Sequence, residues 1–158
     1  YSIYAKKLAQ QGDLVHHDKD KAVLTQMEIG RVIEKNLTPV DVDSTLGDLV
    51  KVITKSKRNI FPVIDKQFHL MGIIMLDDVR EVMFQKEKYN ELFVKDLMTL
   101  PSEHVNLSDN METVMEKFKT SGLWNLPVIE DSRYIGFVSR ANVFNEYRKK
   151  LMEFTEEL

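Results

Sequence analysis

The sequence predicts an α/β fold of the mixed α+β kind, built from two β-α-β-β-α repeats packed about a pseudo-twofold axis. Three observations predict it. An internal duplication runs through the chain: Val40-Asp-Val-Asp-Ser-Thr-Leu46 returns 65 residues later as Val105-Asn-Leu-Ser-Asp-Asn-Met111. The apolar phase survives the copy, because Leu46, Leu49, Val50 and Ile53 follow the i, i+3, i+4, i+7 spacing of an amphipathic helix, and Met111, Val114, Met115 and Phe118 occupy the same steps. Finally, a half of about sixty residues is marginal by surface-to-volume scaling, so the halves are expected to pack sheet against sheet.

Residues 1–28 read as a linker. The first repeat, 29–85, opens with a short helix carrying Ile29, Val32 and Ile33, matched in the second repeat, 94–150, by Val94, Leu97 and Met98. A brief strand follows at Val40 to Val42. Ser44 and Asp109 stand just ahead of the amphipathic helices, where a side-chain oxygen can accept first-turn N–H groups. Pro62 and Pro127 recur in Phe61-Pro-Val-Ile-Asp65 and Leu126-Pro-Val-Ile-Glu130, and the missing N–H places each at a strand start or edge. Gly72-Ile-Ile-Met-Leu-Asp-Asp-Val79 then matches Gly136-Phe-Val-Ser-Arg-Ala-Asn-Val143 at a spacing of 64. The dropped residue falls between Lys66 and His69, in the polar turn of a hairpin, which tolerates it. The run Leu70 to Met75 is apolar on both faces and reads as a central strand. Closing helices use Val79, Val82 and Met83, then Val143, Tyr147 and Leu151, with residues 151–158 as the helix end. Residues 86–93 are expected to be a solvated connector.

Composition narrows the function. With 43% hydrophobic residues, 30% charged residues and a formal net charge of −3, no broad attraction to nucleic acid or anionic membrane is expected. The absence of cysteine excludes a disulfide framework, thiol nucleophiles and cysteine-held metal clusters. No apolar run approaches the roughly 20 residues of a spanning helix. The chain begins with Tyr1 rather than Met, as expected of a piece cut from something longer.

The short opening helix, the Thr38-Pro39-Val40 strand opening, the Pro-Val-Ile strand and Gly-Ile-Ile…Asp-Asp-Val before the last helix resemble a CBS domain, present twice between about Glu28 and Lys149. Ser2-Ile-Tyr-Ala-Lys-Lys-Leu8, His17-Asp-Lys-Asp-Lys-Ala22 and Leu24-Thr-Gln-Met27 resemble the segment joining the membrane domain of CLC chloride channels to their cytoplasmic CBS pair. The resemblance implies a non-catalytic regulatory module on the cytoplasmic side of the cell membrane, its partner being the transmembrane chloride-transport domain of the same chain. It implies a homodimer, and ATP, ADP or AMP as regulatory ligand with no cofactor required. The alternative is a nucleotide-sensing CBS module of another parent, an enzyme or a cation transporter.

By the same resemblance, a nucleotide lies between the halves, its base on the first strands of one copy and its ribose on an acidic residue opening the last helix of the other. One cleft then combines Thr38, Asn59 and Phe61 with Ser139 and Asn142, with Arg140 as a nearby cation; the other combines Thr99, Trp124 and Asn125 with Asp78. Asn142 departs from the family's Asp, and Met75 stands where a hydroxyl would touch phosphate. Against occupancy stands the reading of the pair as a dimerisation or coupling element. His16, His17, Asp18 and Asp20 read as solvated linker rather than a metal cluster. Asp77 and Asp78 point apart as sequence neighbours and suit a helix N-terminus. Lys149 and Lys150 beside Leu151 and Phe154 read as an ordinary closing helix, and the methionines as core packing.

Overall fold

The computed structural model describes residues 21–156. The linker before Lys21, with its histidines and acidic residues, lies outside the described residues. Residues 21–26 form helix α1, and Val23 and Met27 are buried in the second repeat's core. The end of the expected linker is thus part of the folded body.

The first repeat runs through a 3-10 turn at Ile29–Arg31, β1 (Val40–Asp41), α2 (Leu46–Lys55), β2 (Ile60–Ile64), β3 (Leu70–Met75) and α3 (Leu76–Val79). After a 3-10 turn at Lys86–Lys88, the second has α4 (Val94–Leu97), β4 (Val105–Asn106), α5 (Met111–Ser121), β5 (Asn125–Glu130), β6 (Arg133–Ser139) and α6 (Arg140–Glu156). Two three-stranded sheets result, β1-β2-β3 and β4-β5-β6, so the fold is mixed α+β. Their registers repeat: Val40 pairs with Val63 as Val105 does with Val128, and Ile60 pairs with Met75 as Asn125 does with Ser139. Each central strand even carries its irregularity at the same place, Val63/Ile64 and Val128/Ile129.

Several local expectations are corrected. The helix caps sit one residue later than Ser44 and Asp109. Thr45 Oγ1 accepts the Asp48 N–H at 3.2 Å, and Asn110 Oδ1 accepts the Thr113 N–H at 2.8 Å. Pro62 lies in the middle of β2, the central strand, rather than at a start or edge. The register explains its tolerance. Ile64 accepts from Val42 on the β1 side, so Pro62 also faces β1, which begins only at Val40 opposite Val63. The missing donor points past the end of a two-residue strand. β3 is an edge strand of its sheet rather than a central one. The connector is not simply solvated either, because the Tyr89 and Leu92 carbonyls accept the Gly47 and Leu46 N–H groups and Tyr89 packs on the first core.

The halves are joined reciprocally. Glu34, ahead of β1, pairs with Phe137 on the outer edge of β6, with N–H···O bonds of 2.7 and 3.0 Å. Thr99, ahead of β4, pairs with Ile73 on the outer edge of β3, at 2.8 and 2.9 Å. Each repeat therefore lends a lead-in segment to cover the other's exposed edge. Between them the hairpins meet at His69 and Arg133, 64 residues apart and equivalent to one another. Leu37, Ile60, Ile64, Ile73, Tyr134 and Phe137 form a shared buried cluster drawn from both repeats. These exchanged contacts define the approximate twofold.

Candidate functional site

The exchanged lead-in segments place polar side chains beside the helices that follow β3 and β6. In the first cleft, Glu34 is fixed by its backbone pairing to Phe137. One carboxylate oxygen accepts from Asn142 Nδ2 at 2.7 Å, and the other pairs with Arg58 at 2.8 Å. Arg58 also donates to Asn36 Oδ1 at 3.1 Å. The pair is mostly shielded, the Glu34 and Arg58 side chains being 22% and 29% exposed, which strengthens it over a surface ion pair. Nearby, the Tyr134 hydroxyl is buried without a partner among the described residues. Burial pushes its phenol up to about 12, partly offset by the Arg58 charge.

The expected members of this cleft are placed as follows. Asn142 and Ser139 meet in the first turn of α6, where Ser139 Oγ accepts the Asn142 N–H at 3.0 Å. Asn59 adjoins Arg58 and is exposed, and its carbonyl accepts the Leu76 N–H at 2.8 Å. Thr38 is exposed ahead of β1 and joined to none of the others by a hydrogen bond. Phe61 is fully buried in the first repeat's core, so its ring is withdrawn and only its backbone is available to a ligand. Arg140 also departs from expectation. Its guanidinium donates to the Phe118 and Leu123 carbonyls at 2.9 and 2.8 Å, at the C-terminal end of α5, and lies 4.8 Å from the Trp124 ring centroid. The cation of the first cleft is Arg58.

The second cleft is related by the repeat. Residues 34, 58 and 142 correspond to Thr99, Leu123 and Asp78. Thr99 is bonded to β3, the strand that leads directly into α3 with Asp78 in its first turn. Asp78 is exposed and has no hydrogen-bond or ion-pair partner among the described residues, whereas Asp77 is paired with Arg80 at 2.9 Å. Asn125 opens β5 opposite Ser139, and Trp124 keeps 69% of its surface exposed despite the guanidinium beside it. No direct bond joins Trp124 or Asn125 to Asp78. What this arrangement offers is a free carboxylate, a hydroxyl and an aromatic face; among these residues no acid, base and nucleophile stand together.

Glu34 and Arg58 were missed from the sequence. The signal was there: at the two positions facing each other across the repeat, one copy has opposite charges where the other has Thr99 and Leu123. A hollow of about 510 Å³ lies elsewhere, between α1, α5 and α6, and is lined by Leu24, Met115, Phe118 and Phe144 with Lys21 and Lys119.

Comparison with known proteins gives the following. The CBS domain family matches residues 29–85 and 94–149. Among curated proteins, an uncharacterised protein of Methanocaldococcus jannaschii is 26% identical over 126 residues, covering 78% of this chain and 58% of its own length. The inosine-5'-monophosphate dehydrogenase of the same organism is 24% identical over 113 residues, covering 71% of this chain and 22% of the enzyme. The chain thus spans only part of these relatives. Among solved structures, the CBS domain of a CBS-domain-containing membrane protein from Sphaerobacter thermophilus has a TM-score of 0.67 at 21% identity, covering 87% of this chain and 96% of that one. The CBS domain of a bacterial CNNM/CorC-family Mg2+ transporter in complex with ATP has 0.68 at 14%, covering 88% and 97%. CBSX2 in complex with AMP has 0.62 at 25%, covering 77% and 96%.

Proposed function

We propose, because the chain belongs to the CBS domain family and carries the domain twice, that it is a regulatory rather than catalytic module which senses an adenine nucleotide. The observation that carries this reading is Asp78: an exposed carboxylate without a partner among the described residues, next to a strand edge where the other repeat supplies Thr99. A carboxylate can accept hydrogen bonds from both hydroxyls of a ribose, and Trp124 offers a face to a base. Similar folds solved in complex with ATP and with AMP support an adenine nucleotide as the class of ligand. Thr99, Trp124, Asn125 and Asp78 form the proposed binding set, with Thr38, Asn59, Phe61, Ser139 and Asn142 as its counterpart in the first cleft.

The module would act by binding the nucleotide differently in two states of a larger protein and so biasing the equilibrium between them. A chloride-transporting membrane domain on the same chain is the parent favoured by the residues before Met27, with the module on its cytoplasmic side. The Mg2+ transporter neighbour favours a second reading, a cation-transporting parent. A homodimer through apolar helix faces fits either. Calorimetry with ATP, ADP and AMP tests the sensor reading. Binding is expected, and Asp78→Ala should weaken it about tenfold or more, the worth of a hydrogen bond to a charged acceptor. An absence of heat at millimolar nucleotide would remove the sensor and leave the fold.

A further inference from the structure

We infer that Glu34 decides which cleft takes the ligand: it fills the first cleft from within and leaves the second as the working site. This rests on the nucleotide-sensing reading above and deepens it. The two clefts are built from equivalent backbone, so their difference lies in the side chains. At the paired positions the second cleft has Thr99, Leu123 and Asp78; the first has Glu34, Arg58 and Asn142. These substitutions are mutually consistent. A carboxylate at position 34 needs donors, and Asn142 Nδ2 and Arg58 supply one to each oxygen at 2.7 and 2.8 Å. An aspartate at 142, copying Asp78, could not donate and would set two carboxylates together, which disfavours ionisation of both. The exchange of acid for amide at 142 is thus the complement of the acid gained at 34.

The consequence for a ligand is direct. Asn142 has its amide turned to Glu34, and the Arg58 charge that would meet a phosphate is already neutralised. The Glu34 main chain is pinned, its N–H and C=O both being bonded to Phe137, and its carboxylate is held in place by Asn142 and Arg58. Gly136 makes this close approach feasible: a Cβ there would stand 2.6 Å from the Glu34 carbonyl oxygen. The carboxylate is an internal occupant that already takes the donors an incoming ligand would use. In the second cleft nothing plays this part, since Asp78 is without a partner among the described residues.

The test is the number of AMP and ATP molecules bound per chain, by calorimetry, for the wild type, for Asp78→Ala and for the double variant Glu34→Thr, Asn142→Asp, which copies Thr99 and Asp78 into the first cleft. One per chain is expected for the wild type, bound about tenfold or more weakly in Asp78→Ala, and two for the double variant. Two sites in the wild type, or one in the double variant beside one in the wild type, would overturn the inference while leaving nucleotide sensing intact. None in the wild type but one in the double variant would uphold the blocking of the first cleft by Glu34 and overturn the second cleft as the working site. None in either would refute both. Should the double variant not fold, the wild type still decides: at saturating AMP the NMR resonances of the Asn142 side-chain amide should stay unmoved, and a large shift there would show the first cleft to be open.

Discussion

A Cβ on Gly136 would lie 2.6 Å from both the Glu34 carbonyl oxygen and Ile33 Cγ2, and one on Gly72 would lie 2.7 Å from Met98 Sδ and 3.0 Å from the Thr99 carbonyl oxygen. These are the same position in the two repeats, each admitting the lead-in segment of the other half. The obstacle at Gly136 includes backbone held by two hydrogen bonds, whereas the nearest one at Gly72 is the flexible end of a methionine. Gly136→Ala should therefore cost about 1–3 kcal/mol, the usual range for overpacking, and Gly72→Ala less; urea unfolding of both variants checks the order. Asp109 gives a pH test. Burial pushes its carboxyl up, but Lys117 Nζ at 2.8 Å and the Asn106 N–H at 2.9 Å outweigh that and hold it below its ordinary 3.8. A carboxyl depressed by folding adds stability above its unfolded value and loses it as the pH falls through the folded one. Asp109→Asn should thus lower the melting temperature near neutrality, with the gap to the wild type closing as the pH drops below about 4.

The elements show how much of the fold the sequence carries. Apolar spacing located α2 and α5, because the face that must be buried is written at every third or fourth residue. Placing Pro62 needed more. A missing N–H requires only that one side of the strand be vacant, and the vacancy comes from the shortness of β1, a tertiary fact. The closing helices differ at their N-termini in a way that could have been read. Ser139 caps α6 through the Asn142 N–H, while the equivalent Met75 offers α3 no side-chain cap, and α6 runs for 17 residues against 4. Ser139→Ala should fray the first turn of α6 at a cost of about 1 kcal/mol, visible as faster amide exchange at Asn142 and Val143. The clefts were legible in outline only. Their helix-opening members, Asp78 and Asn142, follow from the Gly-to-Val motif, but the Glu34–Arg58 pair spans 24 positions of one repeat and closes on the helix of the other. No local pattern announces it; only alignment of the chain with itself does.

For the whole molecule, the shared cluster of Leu37, Ile60, Ile64, Ile73, Tyr134 and Phe137 means that neither half owns a complete core. Residues 21–93 produced alone would expose Leu37, Ile60, Ile64 and Ile73, each worth about 1.5–3 kcal/mol of burial, and would leave the β3 edge uncovered. Cooperative melting of such a fragment would contradict the reciprocal packing described above. The same reciprocity suits a sensor, because a ligand in the proposed second cleft would touch both repeats and couple them. The central claim, a nucleotide bound across the halves at Asp78 and Thr99, is tested most directly by amide hydrogen exchange with and without AMP. The account predicts slower exchange in two segments distant in sequence, around Asp77 to Val79 and around Thr99, with little change at Glu34 and Asn142. Unchanged exchange at both segments under millimolar AMP, or protection confined to the Glu34 and Asn142 side, would contradict it.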